Sequence, residues 1–265
     1  MLKFLIQTIN GRVVHDFTFT LERALEYMDW REIENCYAYC QLENMEHMDY
    51  GIDSDDIRDY VPIGTVEFVL HFCELFINQR AKEIIKPINV PTELFPYAGR
   101  MIKNVMIDEP TVLSDIFRAE DNNIDKIFVK SNDTIKDPLD GLYCSDTQLQ
   151  TGNYQLSSYK NNICSEYRIF IYKDEIRGIQ FYSGDCTVFP NIESVKEWLK
   201  NYRWDYGNGS APEAFTLDVF IDKQGNNGVM EVHDFFSCGL YGFSDYSVLP
   251  YMFVRAFQKI KRELK

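Results

Sequence analysis

The segment FTLDVFIDKQGNNGVMEVH, residues 215–233, sets one acid into each of two apolar runs and parts the runs with a break rich in Gly and Asn. Side chains alternate faces along an extended chain. Phe215, Leu217, Val219 and Ile221 therefore share one side, and Asp218 takes the other. The break at 223–228 has the composition of a hairpin turn, since Gly and Asn tolerate positive φ. With the turn centred between Gln224 and Gly225, Asp218 stands opposite Glu231. Directly opposed side chains have Cβ atoms about 4.5–5.5 Å apart, and like charges there destabilise a sheet. Such a pair calls for a cation. A divalent ion held by carboxylate oxygens is one solution, and Mg²⁺ completed by a nucleotide's phosphates is its common form. The alternatives are a solvated acidic face or a register one residue off.

The remaining composition sets limits. With 265 residues, 45% hydrophobic and 15% aromatic, the chain has material for one large or two modest cores. Its 41 acidic against 27 basic residues give a net charge of −14, which argues against a broad nucleic-acid surface. The opening MLKFLIQTI is too short for a secretory leader. Residues 61–77, the most apolar later run, hold Glu67, His71 and Glu74, so no membrane span is expected. Seven irregularly spaced cysteines fit a reducing cytoplasm better than a disulfide framework. Cys36 and Cys40 lack a second pair to complete a zinc site and read as plain thiols.

Along the chain, residues 2–9 read as a strand and 20–28 as a helix capped by Thr20, with apolar positions 21, 24, 25 and 28. The acid-rich stretch 51–59 reads as an exposed loop or helix start, and 61–69 as turn and strand. Pro87 and Pro91 suggest a domain boundary near residue 90. Beyond it, strands are expected at 126–130, 166–172, 178–182, 215–221 and 229–233, with helices at 192–202 and 249–264. That order predicts an α+β fold with antiparallel sheet, residues 91–265, behind a small α/β domain, residues 1–90.

Three basic residues invite chemistry. Lys130 ends a strand, opposite the face of Ile127 and Val129, where its ammonium can reach a phosphate or snorkel to water. Arg168 alternates with Tyr167 and Ile169 inside an apolar strand and needs a partner, either a phosphate or carboxylate ligand or a structural acid such as Glu231. Arg100 follows Gly99 with the same two options.

The pieces VPIGTVEFV, PTELFPYAGR, IFVKS, SEYRIFI and EVHDFFSCGLYGF, in that order, resemble the ATP-grasp superfamily, most closely a phage-associated subgroup named for two arginines and a lysine. The resemblance implies an ATP-grasp fold with the nucleotide between two lobes. It assigns Asp218 and Glu231 to Mg²⁺ and makes Arg100, Arg168 and Lys130 the naming residues, with Lys130 at the ATP phosphates. Residues 154–161, with Ser157, Ser158 and Tyr159, become the hinge that meets adenine, and Glu166 joins the nucleotide contacts. Members usually carry Asn two residues after the glutamate, where this chain has His233, a third candidate ligand. The usual glycine-rich phosphate lid is replaced by a stretch with only Gly141 and Gly152.

The implied activity is an ADP-forming ligation through an acyl phosphate, joining a carboxylate donor to an amine or other nucleophile, a peptide or protein among the options. The setting is cytoplasmic, a host's cytoplasm if phage-encoded. Three rivals stand beside it: a nucleotide-binding interaction protein, a phosphotransferase on the same ATP site, and a thiol hydrolase using Cys238 with His233. His15, His47 and His71 read as ordinary surface or core histidines, and Trp198, Tyr202 and Trp204 as core, with the lining of an acceptor pocket as the alternative.

Overall fold

The computed structural model describes residues 1–47, 56–117 and 125–265. The chain begins with β1 (Leu2–Gln7), α1 (Asp16–Trp30), β2 (Asn35–Cys40), β3 (Val61–Ile63), α2 (Val66–Phe76) and α3 (Ala81–Ile84). β1 lies central in a parallel sheet of order β2-β1-β3, as alternating strand and helix require. α1 starts before Thr20. Asp16 opens it and accepts from Phe17 N, while the Thr20 hydroxyl is spent on the Asp16 carbonyl, so Thr20 is an interior residue and not the cap. Residues 66–69 are helix and not strand. The Thr65 hydroxyl caps Phe68 N, and Val66, Val69, Phe72 and Cys73 form a buried stripe at helical spacing. Of the acidic stretch at 51–59, residues 51–55 lie outside the described residues; 57–59 form a single turn with Ile57 buried. The His47 side chain also lies outside them.

The next unit contains β4 (Ile102–Ile107), β5 (Thr111–Val112), α4 (Leu113–Ile116), β6 (Lys126–Ser131), β7 (Gly141–Cys144), β8 (Gln148–Leu149) and β9 (Gly152–Ser158). Four of its strands form an antiparallel sheet, β4-β9-β6-β7. Then come β10 (Ile163–Tyr172), β11 (Glu175–Gly184), α5 (Ile192–Leu199), β12 (Ala214–Asp222), β13 (Asn227–Asp234) and α6 (Leu249–Glu263). These strands build a second antiparallel sheet, β11-β10-β12-β13.

Phe215, Leu217, Val219 and Ile221 do share one face of β12, packed with Val195, Trp198 and Tyr202 from α5 and the turn after it. α6 closes a different core, in which Phe253 and Phe257 join Phe4, Phe72 and Phe235. Residues 87–91 are not a free linker. Asn89 and Val90 are buried, Val232 N donates to the Asn89 carbonyl at 2.8 Å, and the Asn89 amide donates to the Ser131 carbonyl at 2.8 Å. Gln155 exchanges bonds of 3.0 and 2.9 Å with Val90. This short strap therefore binds both antiparallel sheets. No disulfide links any of the seven cysteines, and among the described residues no helix is long and apolar enough to cross a membrane.

Candidate active site

The hairpin between β12 and β13 puts Asp218 directly opposite Glu231, and Arg168 of β10 opposite Asp218 from the other side. A charged row thus crosses three strands on the face away from the α5 core. His233 lies two residues beyond Glu231 and so shares its face. The turn is set by Asp222, whose carboxylate accepts from Gln224 N and Asn226 N, and by Gly225 at φ +83°.

A β-bulge between Asp218 and Val219 makes Met230 the extra residue of β13. Arg100 grips this bulge. Its Nη1 donates to the Val229 carbonyl and its Nη2 to the Met230 carbonyl, both at 2.7 Å. Burial pushes the Arg100 guanidinium down to about 10, still charged at neutral pH. Sequence reasoning offered Arg100 a ligand or an acid; its partners are instead main-chain oxygens beside Glu231.

Arg168 is clamped to Asp218 by Nε–Oδ1 and Nη2–Oδ2 bonds of 2.8 and 2.7 Å, and Nη1 donates to the Gly239 carbonyl. The structural acid is therefore Asp218, not Glu231. Tyr182 and Tyr241 stack on each other beside the guanidinium, which lies 5.1 Å from the Tyr241 ring. The Tyr241 loop is tied to α1, because Asp16 Oδ2 accepts from Leu240 N and Tyr241 N. Burial acting alone would raise the Asp218 carboxyl; the bonds from Arg168, then the nearby His233, hold it below the ordinary range.

Lys130 reaches from the facing sheet and pairs with Glu231 Oε2. Burial, opposed by Asp140 and Asp218, lowers its ammonium below the usual lysine value. His233 Nε2 touches Glu231 Oε1 and lies 3.5 Å from Asp218 Oδ2, yet it is buried with no hydrogen bond. Burial, as the largest cause, lowers the imidazole against the pull of Asp218. One ligand atom each from Asp218, Glu231 and His233 lies within 4.8 Å of the others. Two carboxylates and an orphaned, buried imidazole nitrogen are a donor set that fits a divalent cation.

Two cavities meet at this set. One, about 380 Å³, runs between Ser157, Ser158 and Tyr159 at the end of β9 and the apolar Phe220 and Met230, with Glu166 at its side. The Glu166 carboxylate accepts from the Tyr182 hydroxyl at 2.9 Å. The other, about 370 Å³, is lined by Lys136, Asp140, Arg168, His233 and Cys238. Lys130 and Glu231 line both. The structure thus brings every predicted site residue to one or other cavity, except Asp218, which lies just beneath them in the row. Gln155, Tyr182, Phe220 and Met230 were missed by sequence reasoning. Alternation places Gln155 on the face of Ser157 and Phe220 on that of Asp218, whereas Met230, next to Glu231, would alternate to the opposite face and lines the cavity as the extra residue of the bulge. Cys238 is buried, and burial pushes its thiol up to about 12, so it is poorly suited to nucleophilic work near neutrality.

Two facing antiparallel sheets, a lysine bridging from one to a carboxylate row on the other, and a cavity on each side define a two-lobed nucleotide clasp. A profile for the ATP-grasp domain, family 2 of the clade named for two arginines and a lysine, matches residues 107–250, and the chain belongs to that family. The fold is similar to that of a D-cycloserine synthetase, at 12% identity and a TM-score of 0.56, covering 99% of this chain and 100% of that one. It is also similar to the D-alanyl-alanine synthetase A of Vibrio cholerae, at 10% identity and a TM-score of 0.52, with 98% of each chain covered. No curated protein sequence is matched.

Proposed function

We propose that this chain is an ATP-dependent ligase that activates a carboxylate as an acyl phosphate, releases ADP and transfers the acyl group to an amine or other nucleophile. The observation that carries the reading is the pair of cavities sharing Lys130 and Glu231. A nucleotide-binding module needs one cavity. A ligase needs a second that opens onto the phosphate end of the first.

The apolar walls at Phe220 and Met230 suit a purine, with Ser157, Ser158 and Tyr159 along the other side of the cavity. Glu166 suits nucleoside hydroxyls, since an anion would repel phosphate. Lys130 faces the phosphates from the opposite sheet. Asp218, Glu231 and His233 would hold a divalent ion, Mg²⁺ in the family's usual form, which neutralises charge on the β- and γ-phosphates when bound. In the second cavity Lys136 and Arg168 attract the donor carboxylate. Its oxygen attacks the γ-phosphorus, the bond to the ADP oxygen breaks, and the acceptor nitrogen then displaces phosphate from the acyl carbon while losing a proton to solvent. Arg100 supports this chemistry by holding Val229 and Met230, and through them Glu231, in place. The acceptor is a small amino acid, a peptide or a protein terminus, and the negative charge of the chain favours encounter with a cationic one.

The test is thermal stability with and without MgATP for the wild type, Lys130→Ala and Glu231→Gln, followed by ADP release with candidate acceptors. A ligand that binds only the folded state raises its melting temperature. The expected result is a magnesium-dependent rise in the wild type, reduced in both variants, and acceptor-dependent ADP release that Glu231→Gln abolishes. A rise with no ADP release from any acceptor favours a binding protein, and a phosphorylated product favours a phosphotransferase. Turnover lost in Cys238→Ala but kept in Glu231→Gln overturns the assignment.

A further inference from the structure

The three ligand atoms of the cation set are not equally available. Both Asp218 oxygens are claimed by Arg168, at 2.8 and 2.7 Å, and Glu231 is paired with Lys130. The His233 Nε2 atom alone is buried, aimed at both carboxylates and without a hydrogen bond. A cation entering here meets carboxylates already partly neutralised by Arg168 and Lys130, which weakens the electrostatic attraction that Mg²⁺ depends on. The one donor not already claimed by Arg168 or Lys130 is a nitrogen, which itself touches Glu231 Oε1. Mg²⁺ favours oxygen ligands and gives up its water reluctantly, whereas first-row transition ions accept imidazole readily, with affinity rising from Mn²⁺ onward.

We propose that His233 makes the cation site of this chain selective for a first-row transition ion such as Mn²⁺ over Mg²⁺, with Nε2 as a direct ligand. The proposal rests on the nucleotide-site reading above for the location of the ion, and on this chain's own donor set for its identity. The His233 ring shares a strand face with Glu231 and stands across from Thr216, whose hydroxyl is also buried without a partner.

The test uses Mn²⁺ and Mg²⁺ alone, without nucleotide, so that no adenine nitrogen confuses the readout. Binding is followed by isothermal titration, and the Mn²⁺ complex by pulsed electron paramagnetic resonance on protein with natural and with ¹⁵N-labelled histidine. The expected result is a ¹⁴N coupling on Mn²⁺ that converts to ¹⁵N on labelling and disappears in His233→Asn. The wild type should bind Mn²⁺ at least about tenfold tighter than Mg²⁺, and His233→Asn should lose most of that preference. The labelled wild type keeps the test valid even if the variant folds poorly.

Mn²⁺ bound without nitrogen coupling, a coupling that survives in His233→Asn, equal affinities, or no Mn²⁺ binding at all each overturns the proposal. If the melting-temperature rise with MgATP persists in any of those cases, the ligase reading stands and only the ion selectivity falls. If that rise is absent as well, both fail.

Discussion

Replacing Arg168 with Met tests whether the charged row is held by mutual neutralisation. Asp218 is only 3% exposed, and its two oxygens take bonds of 2.8 and 2.7 Å from Arg168. Removing one partner of a buried pair strands the other charge and costs about 3–5 kcal/mol. That is a large share of the roughly 5–15 kcal/mol that keeps a domain folded. In urea the midpoint should fall on the order of 1 M, given slopes of about 1–3 kcal/mol/M that grow with size. Replacing both members with apolar side chains removes the stranded charge, so Arg168→Met with Asp218→Leu should recover most of the loss. The double-mutant cycle should then give a coupling of about 2–3 kcal/mol. The assay is equilibrium urea unfolding at pH 7 with a chelator present, so that no cation replaces the guanidinium. A single-variant loss below about 1 kcal/mol, or a double variant whose loss equals the sum of the two singles, refutes the reasoning.

Two further outcomes follow from the same geometry. Arg100→Met should cost about 3 kcal/mol, since hydrogen bonds from a charged group contribute about 1.5–3 kcal/mol each and two bulge carbonyls lose theirs; it should also weaken the MgATP response in the thermal-shift assay, and an unchanged response would show that the bulge holds itself. Cys238, buried with its thiol pushed up to about 12, should resist iodoacetamide in the native protein at pH 8 while exposed Cys144 and Cys186 react. Its rate should climb as pH rises toward that value, because deprotonation supplies the nucleophile, and peptide mapping that finds Cys238 modified first would contradict the burial.

Much of the site was legible because it lies on one hairpin. Centring the turn between Gln224 and Gly225 pairs Asp218 with Glu231, and the structure has that pairing, but by another route: the turn is centred on Gln224, and the bulge at Met230 shifts the register by one to bring the two acids together. The bulge at Met230 was not legible, since it is gripped by Arg100, 130 positions away. The partner of Arg168 was left open between a phosphate or carboxylate ligand and a structural acid, and which acid it meets depends on how three strands align. β4 and β9 escaped notice because Asn104, Gln155 and Ser157 break their apolar pattern. Gln155 and Ser157 line the cavity of about 380 Å³, and Gln155 also bonds the strap, so their polarity reflects these contacts and not the strand. Residues 66–69 misled in the opposite way. Val66, Phe68 and Val69 are residue types that favour strands, and the Thr65 cap decided for helix.

The chain enters the β4-β9-β6-β7 sheet at Ile102 and leaves it at Ser158, and these ends are neighbours. Met101 N donates to the Ser158 hydroxyl, and Ser158 N donates to the Met101 carbonyl. Topologically, the whole lobe is a loop hung from one point of a protein that would otherwise be continuous. Lengthening such a loop is cheap, since each doubling costs about 0.6 kcal/mol in closure entropy. Insertions between its strands can therefore reshape the cover over the two cavities while the carboxylate row, carried on the other sheet, keeps its register.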